Sequence, residues 1–180
     1  MRTLETERLI LRALEKSDAA DFFEYAKSPN VGPHAGWKPH ESLEETVEII
    51  EQIFMPNDSF AIVLKETGKM IGVIALEPDK RRPEVPSKEI GYSLAEEYWG
   101  KGIMTEAAKA VIEYAFTDKN LDVLAICTSK VNERSARVIE KCGFTYEGIT
   151  RRCYVTYEDI PRDSRAYSLL REEWETQRNF

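Results

Sequence analysis

Ten consecutive residues, Tyr98-Trp99-Gly100-Lys101-Gly102-Ile103-Met104-Thr105-Glu106-Ala107, have the makings of an anion site. A strand-like run, Ser87 to Leu94, leads into the two glycines, and an amphipathic helix pattern leads out of them. Glycines allow a tight turn and a close approach to a ligand, while the first N–H groups of the following helix lack intrahelical partners. With the positive end of the helix dipole added, the N–H groups of Gly100, Lys101, Gly102, Ile103, Met104 and Thr105 suit a diphosphate. The Lys101 side chain is either a further charge partner or simply solvated. A dinucleotide fingerprint would need glycine where Thr105 stands, and its ribose-binding acid would be Asp122, which opens a strand instead of ending one. A P-loop needs four residues between its glycines and then Lys-Ser/Thr, a spacing this segment lacks.

A second segment, Val131-Asn132-Glu133-Arg134-Ser135-Ala136-Arg137-Val138-Ile139-Glu140-Lys141-Cys142-Gly143-Phe144, follows the next strand. The two segments in this order resemble the GNAT superfamily of acetyl-CoA-dependent N-acetyltransferases. The branch they look like is the Rim type, which acetylates protein N-termini. In that superfamily the turn reads Gln/Arg-x-x-Gly-x-Gly/Ala, which falls here on Trp99, Gly102 and Met104. Trp99 matches the Tyr-Trp-Gly-Lys-Gly form of the Rim-type branch, and Met104 departs from the pattern. The resemblance runs from Glu7-Arg8-Leu9-Ile10-Leu11-Arg12 to Tyr167-Ser168-Leu169.

The elements that must hold these segments can be read from periodicity. Leu9 to Leu14 is a first strand; Ser17 caps a helix with Ala19, Phe22, Phe23 and Ala26 on one face, stopped by Pro29. Ser42 and Glu45 form a capping box for a helix with Leu43, Val47, Ile50 and Phe54 on its apolar face, closed by Pro56. Strands Phe60 to Leu64 and Met70 to Leu76 flank the turn Glu66-Thr67-Gly68-Lys69. In the fourth strand Ile90, Tyr92 and Leu94 share one face, and Glu89, Gly91 and Ser93 the other, with Gly91 marking a close backbone approach. The helix after the glycine turn carries Met104, Ala107, Ala108, Val111, Ile112, Ala115 and Phe116 in one stripe. Leu121 to Thr128 is a central strand, Arg134 to Cys142 a helix ended by Gly143, and strands near Thr145 to Tyr157 and Ser164 to Leu170 finish the chain. This order predicts an α/β (α+β) mixed sheet, an antiparallel meander followed by a βαβ-like half. The resemblance implies a GNAT fold, a mostly antiparallel sheet of about seven strands with four helices, splayed between strands four and five.

At 180 residues the chain fits one domain, residues 1–180, able to bury about 70% of its unfolded surface. Its 25 basic and 32 acidic side chains give −7, a charge that argues against nucleic acid and is compatible with cationic substrates or with an ordinary acidic protein. Cys127, Cys142 and Cys153 are odd in number and unpaired in spacing, which points to a reducing compartment and to no metal site. The start has no apolar leader pattern and no stretch is long enough to span a membrane, so the expected setting is the cytoplasm, with the protein a monomer or homodimer.

The chemistry implied by the resemblance is attack of a neutral amine on the thioester of acetyl-CoA, which needs a base, an oxyanion donor and an acid for the leaving thiolate. The splayed fourth strand would receive the pantetheine arm along Tyr92, Ser93 and Leu94, with the Leu94 N–H as oxyanion donor. Asn132 would touch the CoA arm, though an Asn before a helix is also an N-cap. Superfamily members often place a tyrosine seven residues after that Asn as the acid, and here the position is Ile139. The Rim-type pattern puts Ser135 in its stead; a first-turn serine near solvent is the plain alternative. Glu89 is the candidate base. His34, Trp37 and His40, on a Gly/Pro-rich loop that borders the acceptor site in GNAT folds, are candidates to grip the amine, with Trp37 alternatively a plug onto the core. The absent tyrosine keeps open a different class, a non-catalytic acyl-CoA sensor or scaffold.

Overall fold

The computed structural model describes residues 1–178. In chain order its elements are β1 (Leu4–Glu5), β2 (Leu9–Ala13), α1 (Ala19–Ala26), the short α2 (Gly32–Ala35), α3 (Leu43–Ile49), β3 (Asp58–Leu64), β4 (Met70–Pro78), β5 (Ser87–Leu94), α4 (Ile103–Thr117), β6 (Val123–Ser129), α5 (Glu133–Lys141), β7 (Thr145–Val155), β8 (Pro161–Leu170) and α6 (Arg171–Arg178). One sheet of eight strands runs β1-β2-β3-β4-β5-β6-β8-β7. Every neighbouring pair is antiparallel except β5 and β6. The expected mixed sheet is therefore present, with eight strands in place of about seven and six helices in place of four. The additions are the two-residue β1 and the helices α2 and α6, all too short or too polar to leave a periodic trace.

Two apolar layers sandwich the sheet. On one face Leu11, Phe60, Ile62, Ile74, Ile90 and Leu124 pack beneath the stripe of α4, whose Ala107, Val111, Ala115 and Phe116 are fully buried. The alternate strand residues, Ala61, Val63 and Val73, face Phe22, Tyr25 and Ala26 of α1 and Ile50 at the end of α3. The strands β3 and β4 thus have both faces covered and read as near-continuous apolar runs.

Helix starts differ from the expectation in instructive ways. Ser17 does not cap α1; Glu15 and Asp18 form the box around a 3₁₀ turn, Lys16–Asp18, and the buried Asp18 is held by Arg12 at 2.6 Å. An ion pair to the preceding strand outcompetes a lone serine hydroxyl. Ser42 does cap α3, accepting from the Glu45 N–H at 3.1 Å, but the Glu45 carboxylate reaches the N–H of Glu41, not that of Ser42. Beyond Ile49 the helix widens into a π turn, Ile50–Phe54, which keeps Ile50 in the core.

Between α1 and α3 lies His40, 5% exposed. Its backbone N–H donates to the Ala26 carbonyl, its Nδ1 is 2.9 Å from the Thr46 hydroxyl, and its ring packs against Phe22 and Trp37. Burial holds the imidazole below its ordinary value, against the weaker pull of the Glu45 charge. The folded protein therefore keeps His40 neutral while the unfolded chain takes up a proton near pH ~6.5. Stability from this site is complete above that range and is lost as pH falls through it. His40→Gln retains a hydrogen-bonding amide without the titration. Thermal unfolding between about pH 7.5 and about pH 5.5 is expected to show a steeper loss of Tm in the natural protein than in the variant, and parallel declines would rule out His40 as the source.

Candidate active site

The strands β5 and β6 are paired only from Ser87↔Val123 to Ile90↔Ile126; beyond Ile90 they part, while β5 stays registered on β4 as far as Gly72↔Leu94. The lean of β5 towards β4 is permitted by Gly72, where a Cβ would stand 2.6 Å from the Ser93 carbonyl oxygen and 3.0 Å from the Leu94 side chain. The Ala95 N–H donates to Ile71 on β4, so strand alternation turns the N–H and carbonyl of Leu94 the other way, into the gap left by β6. There the Leu94 carbonyl accepts from the indole Nε1–H of Trp99 at 2.8 Å. A cavity of about 1040 Å³ fills the gap and runs on to the start of α4.

At that end the glycine turn has the geometry its sequence requires. Gly100 and Gly102 sit in the left-handed region, at φ 74° and 76°, and Gly102 is the N-cap of α4 with no side chain capping the helix. The N–H groups of Ile103, Met104 and Thr105 are thus left for a ligand, and all three residues line the cavity with Gly100 and Gly102. A brace from the N-terminal segment fixes the turn from behind. Arg8 donates from its side chain to the Lys101 carbonyl at 3.0 Å and to Glu106 at 2.7 Å, and Glu106 also accepts from the Thr6 hydroxyl and the Arg8 N–H. Burial pushes the Glu106 carboxyl up, and these three donors more than reverse it, leaving it below the usual carboxylate range.

On the helix α5 side, the Asn132 side chain accepts from the Ser135 N–H at 3.1 Å, so its N-cap reading is realised, and Asn132 lines the same cavity. Ser135 lines it too, and its Oγ is 2.9 Å from the hydroxyl of Tyr92. Burial raises the Tyr92 phenol above its ordinary value, so it stays protonated and able to donate. Sequence reasoning used Tyr92 only for its backbone; its side chain, on the face of β5 that meets α5, was legible from the alternation. Ile139, at the position of the superfamily tyrosine, is 1% exposed and belongs to the core.

The opposite face of β5 presents Glu89 to the cavity. Directly across the strand pair stands Glu77, one residue past the expected end of its strand, and its Oε1 lies 3.4 Å from where a Cβ on Gly91 would be. The room made by Gly91 is thus filled by a carboxylate, not by approaching backbone as the sequence suggested. Burial first, and then the charge of Glu89, raise the Glu77 carboxyl above its ordinary value. Beside them Arg81 donates to the Cys127 sulfur at 2.7 Å. Burial, helped by Glu89, pushes that thiol up to about 12, so it remains a thiol at neutral pH.

Three of the expected ligand residues lie elsewhere. Among His34, Trp37 and His40 only His34 lines the cavity. Trp37 packs on Phe22 and His40 in the second core, which is its plug reading, and His40 is buried there because its ring and N–H find partners between α1 and α3. Lys101 does not line the cavity either; it is exposed, with its ammonium 5.6 Å from the Tyr98 ring. The turn aims backbone inward and so sends this side chain outward.

The match of residues 8–145 to the model of the acetyltransferase (GNAT) domain decides the family. This chain is a GNAT acetyltransferase. An uncharacterized N-acetyltransferase, p20, of Bacillus licheniformis is 31% identical over 97% of this chain and 99% of its own. The ribosomal-protein-S5-alanine acetyltransferase of Vibrio fischeri shares the fold with a TM-score of 0.79 at 24% identity, over 97% of this chain and 99% of that one. The spermidine N-acetyltransferase of Vibrio cholerae, solved with CoA and spermine, does so with a TM-score of 0.79 at 23% identity, over 94% and 99%. As a GNAT enzyme the protein is an acetyl-CoA-dependent N-acetyltransferase, and its similarity to the Rim-type branch shows in a putative ribosomal N-acetyltransferase, YdaF, of Bacillus subtilis, 42% identical over 60% of this chain and 57% of its own. The donor set suits the coenzyme: uncapped helix N–H groups at an unobstructed glycine turn fit a diphosphate, and the open edge of β5 fits an amide-bearing arm.

A methyl group on Gly102 would meet only Arg8, at 3.6 Å, so the main effect of Gly102→Ala is the left-handed backbone, a strain of about 1–2 kcal/mol. Calorimetry is expected to show weaker CoA binding by the variant with little change for pantetheine, which lacks the diphosphate. Equal losses for both would place the diphosphate away from this turn.

Proposed function

We propose that the protein transfers the acetyl group of acetyl-CoA to a primary amine, a protein N-terminal α-amine or a small-molecule amine, by direct attack in a ternary complex. It would do so in the cytoplasm, as one domain, alone or as a homodimer. The observation that carries this reading is the parting of β5 and β6 beyond Ile90, which brings Glu89, the Leu94 N–H, Ser135 and the α4 turn to one cavity.

In this reading the diphosphate rests on the N–H groups from Gly100 to Thr105, and the arm runs along Tyr92 to Leu94 and past Asn132. Glu89 takes the proton of the incoming ammonium, directly or through water, and the freed nitrogen lone pair attacks the thioester carbon. The Leu94 N–H donates to the oxygen that gains charge. When the C–S bond breaks, Ser135 gives its hydroxyl proton to the sulfur and is restored by the second proton of the nitrogen as that becomes an amide, while the protonated Tyr92 hydroxyl, 2.9 Å away, holds the Ser135 Oγ in place. A thiol with a pKa of about 8.5 is already a fair leaving group, so a modest acid is enough. Glu89 would also favour a cationic amine in the cavity.

Purified protein, acetyl-CoA and a panel of amines that includes peptides with free N-termini are expected to release thiol above the uncatalysed rate. Silence across the panel would favour a non-catalytic acyl-CoA sensor of the same fold. Ser135→Ala is expected to lower kcat by about 10- to 100-fold with the KM for acetyl-CoA held within about twofold, and Tyr92→Phe by less; an unchanged kcat would remove Ser135 as the acid. Glu89→Gln should lower kcat/KM for the amine at neutral pH and recover at higher pH, where more of the amine is already neutral. A loss that is the same at every pH would dismiss Glu89 as the base.

A further inference from the structure

A row of cations on α5 has no part in the steps above. Arg134, Arg137 and Lys141 are spaced i, i+3, i+7 and so share one helix face, while Ala136 and Ile139 on the other face are buried in the core. All three line the cavity that holds the glycine turn. The Arg134 guanidinium lies 4.6 Å over the Trp99 ring, and at the far end of the helix the Cys142 sulfur is 4.0 Å from the Thr105 carbonyl. The row therefore runs alongside the turn from its first residues to the opening of α4. Among the described residues none of the three is ion-paired, and Glu133, the carboxylate nearest in sequence to Arg134, is held by Arg165 at 2.5 Å.

In a chain of net charge −7, uncompensated cations gathered on a cavity wall mark a place for an anion. Coenzyme A carries two separate anionic groups, the diphosphate and the monoester phosphate on its ribose. The helix N-terminus contributes the equivalent of only about half a charge and addresses the first. From Arg134 to Lys141 the helix rises about 10 Å, at about 1.5 Å per residue, enough for one end of the row to stand by the diphosphate and the other by a second phosphate. We propose that Arg137 and Lys141 bind the ribose 3′-phosphate and make the enzyme selective for acetyl-CoA over donors that lack this group, such as 3′-dephospho-CoA thioesters or an acetylated phosphopantetheine arm on a carrier protein. This rests on acetyl-CoA being the donor bound at the glycine turn.

The test is calorimetric titration of the whole chain with CoA and with 3′-dephospho-CoA, which needs no amine acceptor. Arg137 and Lys141 are exposed, so Arg137→Gln with Lys141→Gln leaves the core untouched. Lys27→Gln with Lys130→Gln removes the same charge elsewhere as a control. The natural protein and the control are expected to bind CoA about tenfold or more tightly than dephospho-CoA, an advantage that shrinks as salt is raised. In the Arg137/Lys141 variant the two ligands should bind alike, at the natural protein's affinity for dephospho-CoA. Equal binding of both ligands by the natural protein, or an equal loss for both in the variant, would overturn the proposal. Uptake of neither ligand by the natural protein would sink the donor assignment itself, a result distinct from either of these.

Discussion

Backbone hydrogen bonding inside a sheet is nearly obligatory, and the site depends on the one place where this chain withholds it. The strands β5 and β6 share four register pairs and then separate, leaving the gap-facing groups of β5 without a strand partner in the middle of an eight-stranded sheet. The opening is stabilised from both sides. Gly72 lets β5 lean onto β4, the Trp99 indole occupies the Leu94 carbonyl, and the Tyr92 phenol reaches across to Ser135 on α5. What remains is an edge able to pair with an extended guest, the geometry of strand addition.

The opening is useful because of what stands at its ends. The start of α4 is uncapped and flanked by two left-handed glycines, and the Arg8–Glu106–Thr6 brace ties it to the N-terminal segment. The face of β5 opposite α4 carries Glu89 and, across the strand pair, Glu77. The cavity thus has the helix N–H groups and the cations of α5 on one side and, on the other, Glu89 beside Arg81. Burial and the charge of Glu89 keep the Cys127 sulfur a thiol, against the opposing pull of Arg81.

The parts of this arrangement that were legible in the sequence are those written in local rules. Gly100 and Gly102 announced the turn because only a glycine adopts its backbone readily, Asn132 announced its cap, and the stripe from Met104 to Phe116 announced a helix packed on a sheet. The strands failed only at their margins, where β1 is two residues long and β4 runs on to Glu77 and Pro78. His40 was misplaced, and Trp37 was left between two readings, because an aromatic and an imidazole beside glycine and proline look the same whether they grip a ligand or close a core. Their burial against Phe22 is settled by helices from either side of the loop, which no local pattern contains.

By itself, the sequence determined the order of elements, the glycine turn before α4 and the family likeness, since each follows from spacing within a dozen or so residues. Only the tertiary structure decided which side chains meet around the opening: Tyr92 with Ser135, Glu77 with Glu89, Arg81 with Cys127, and the cations of α5 with the turn of α4. The reason is one of reach. Those partners are brought together by strand register and by the separation of β5 from β6, and register is fixed by the whole packed sheet rather than by any one of its strands.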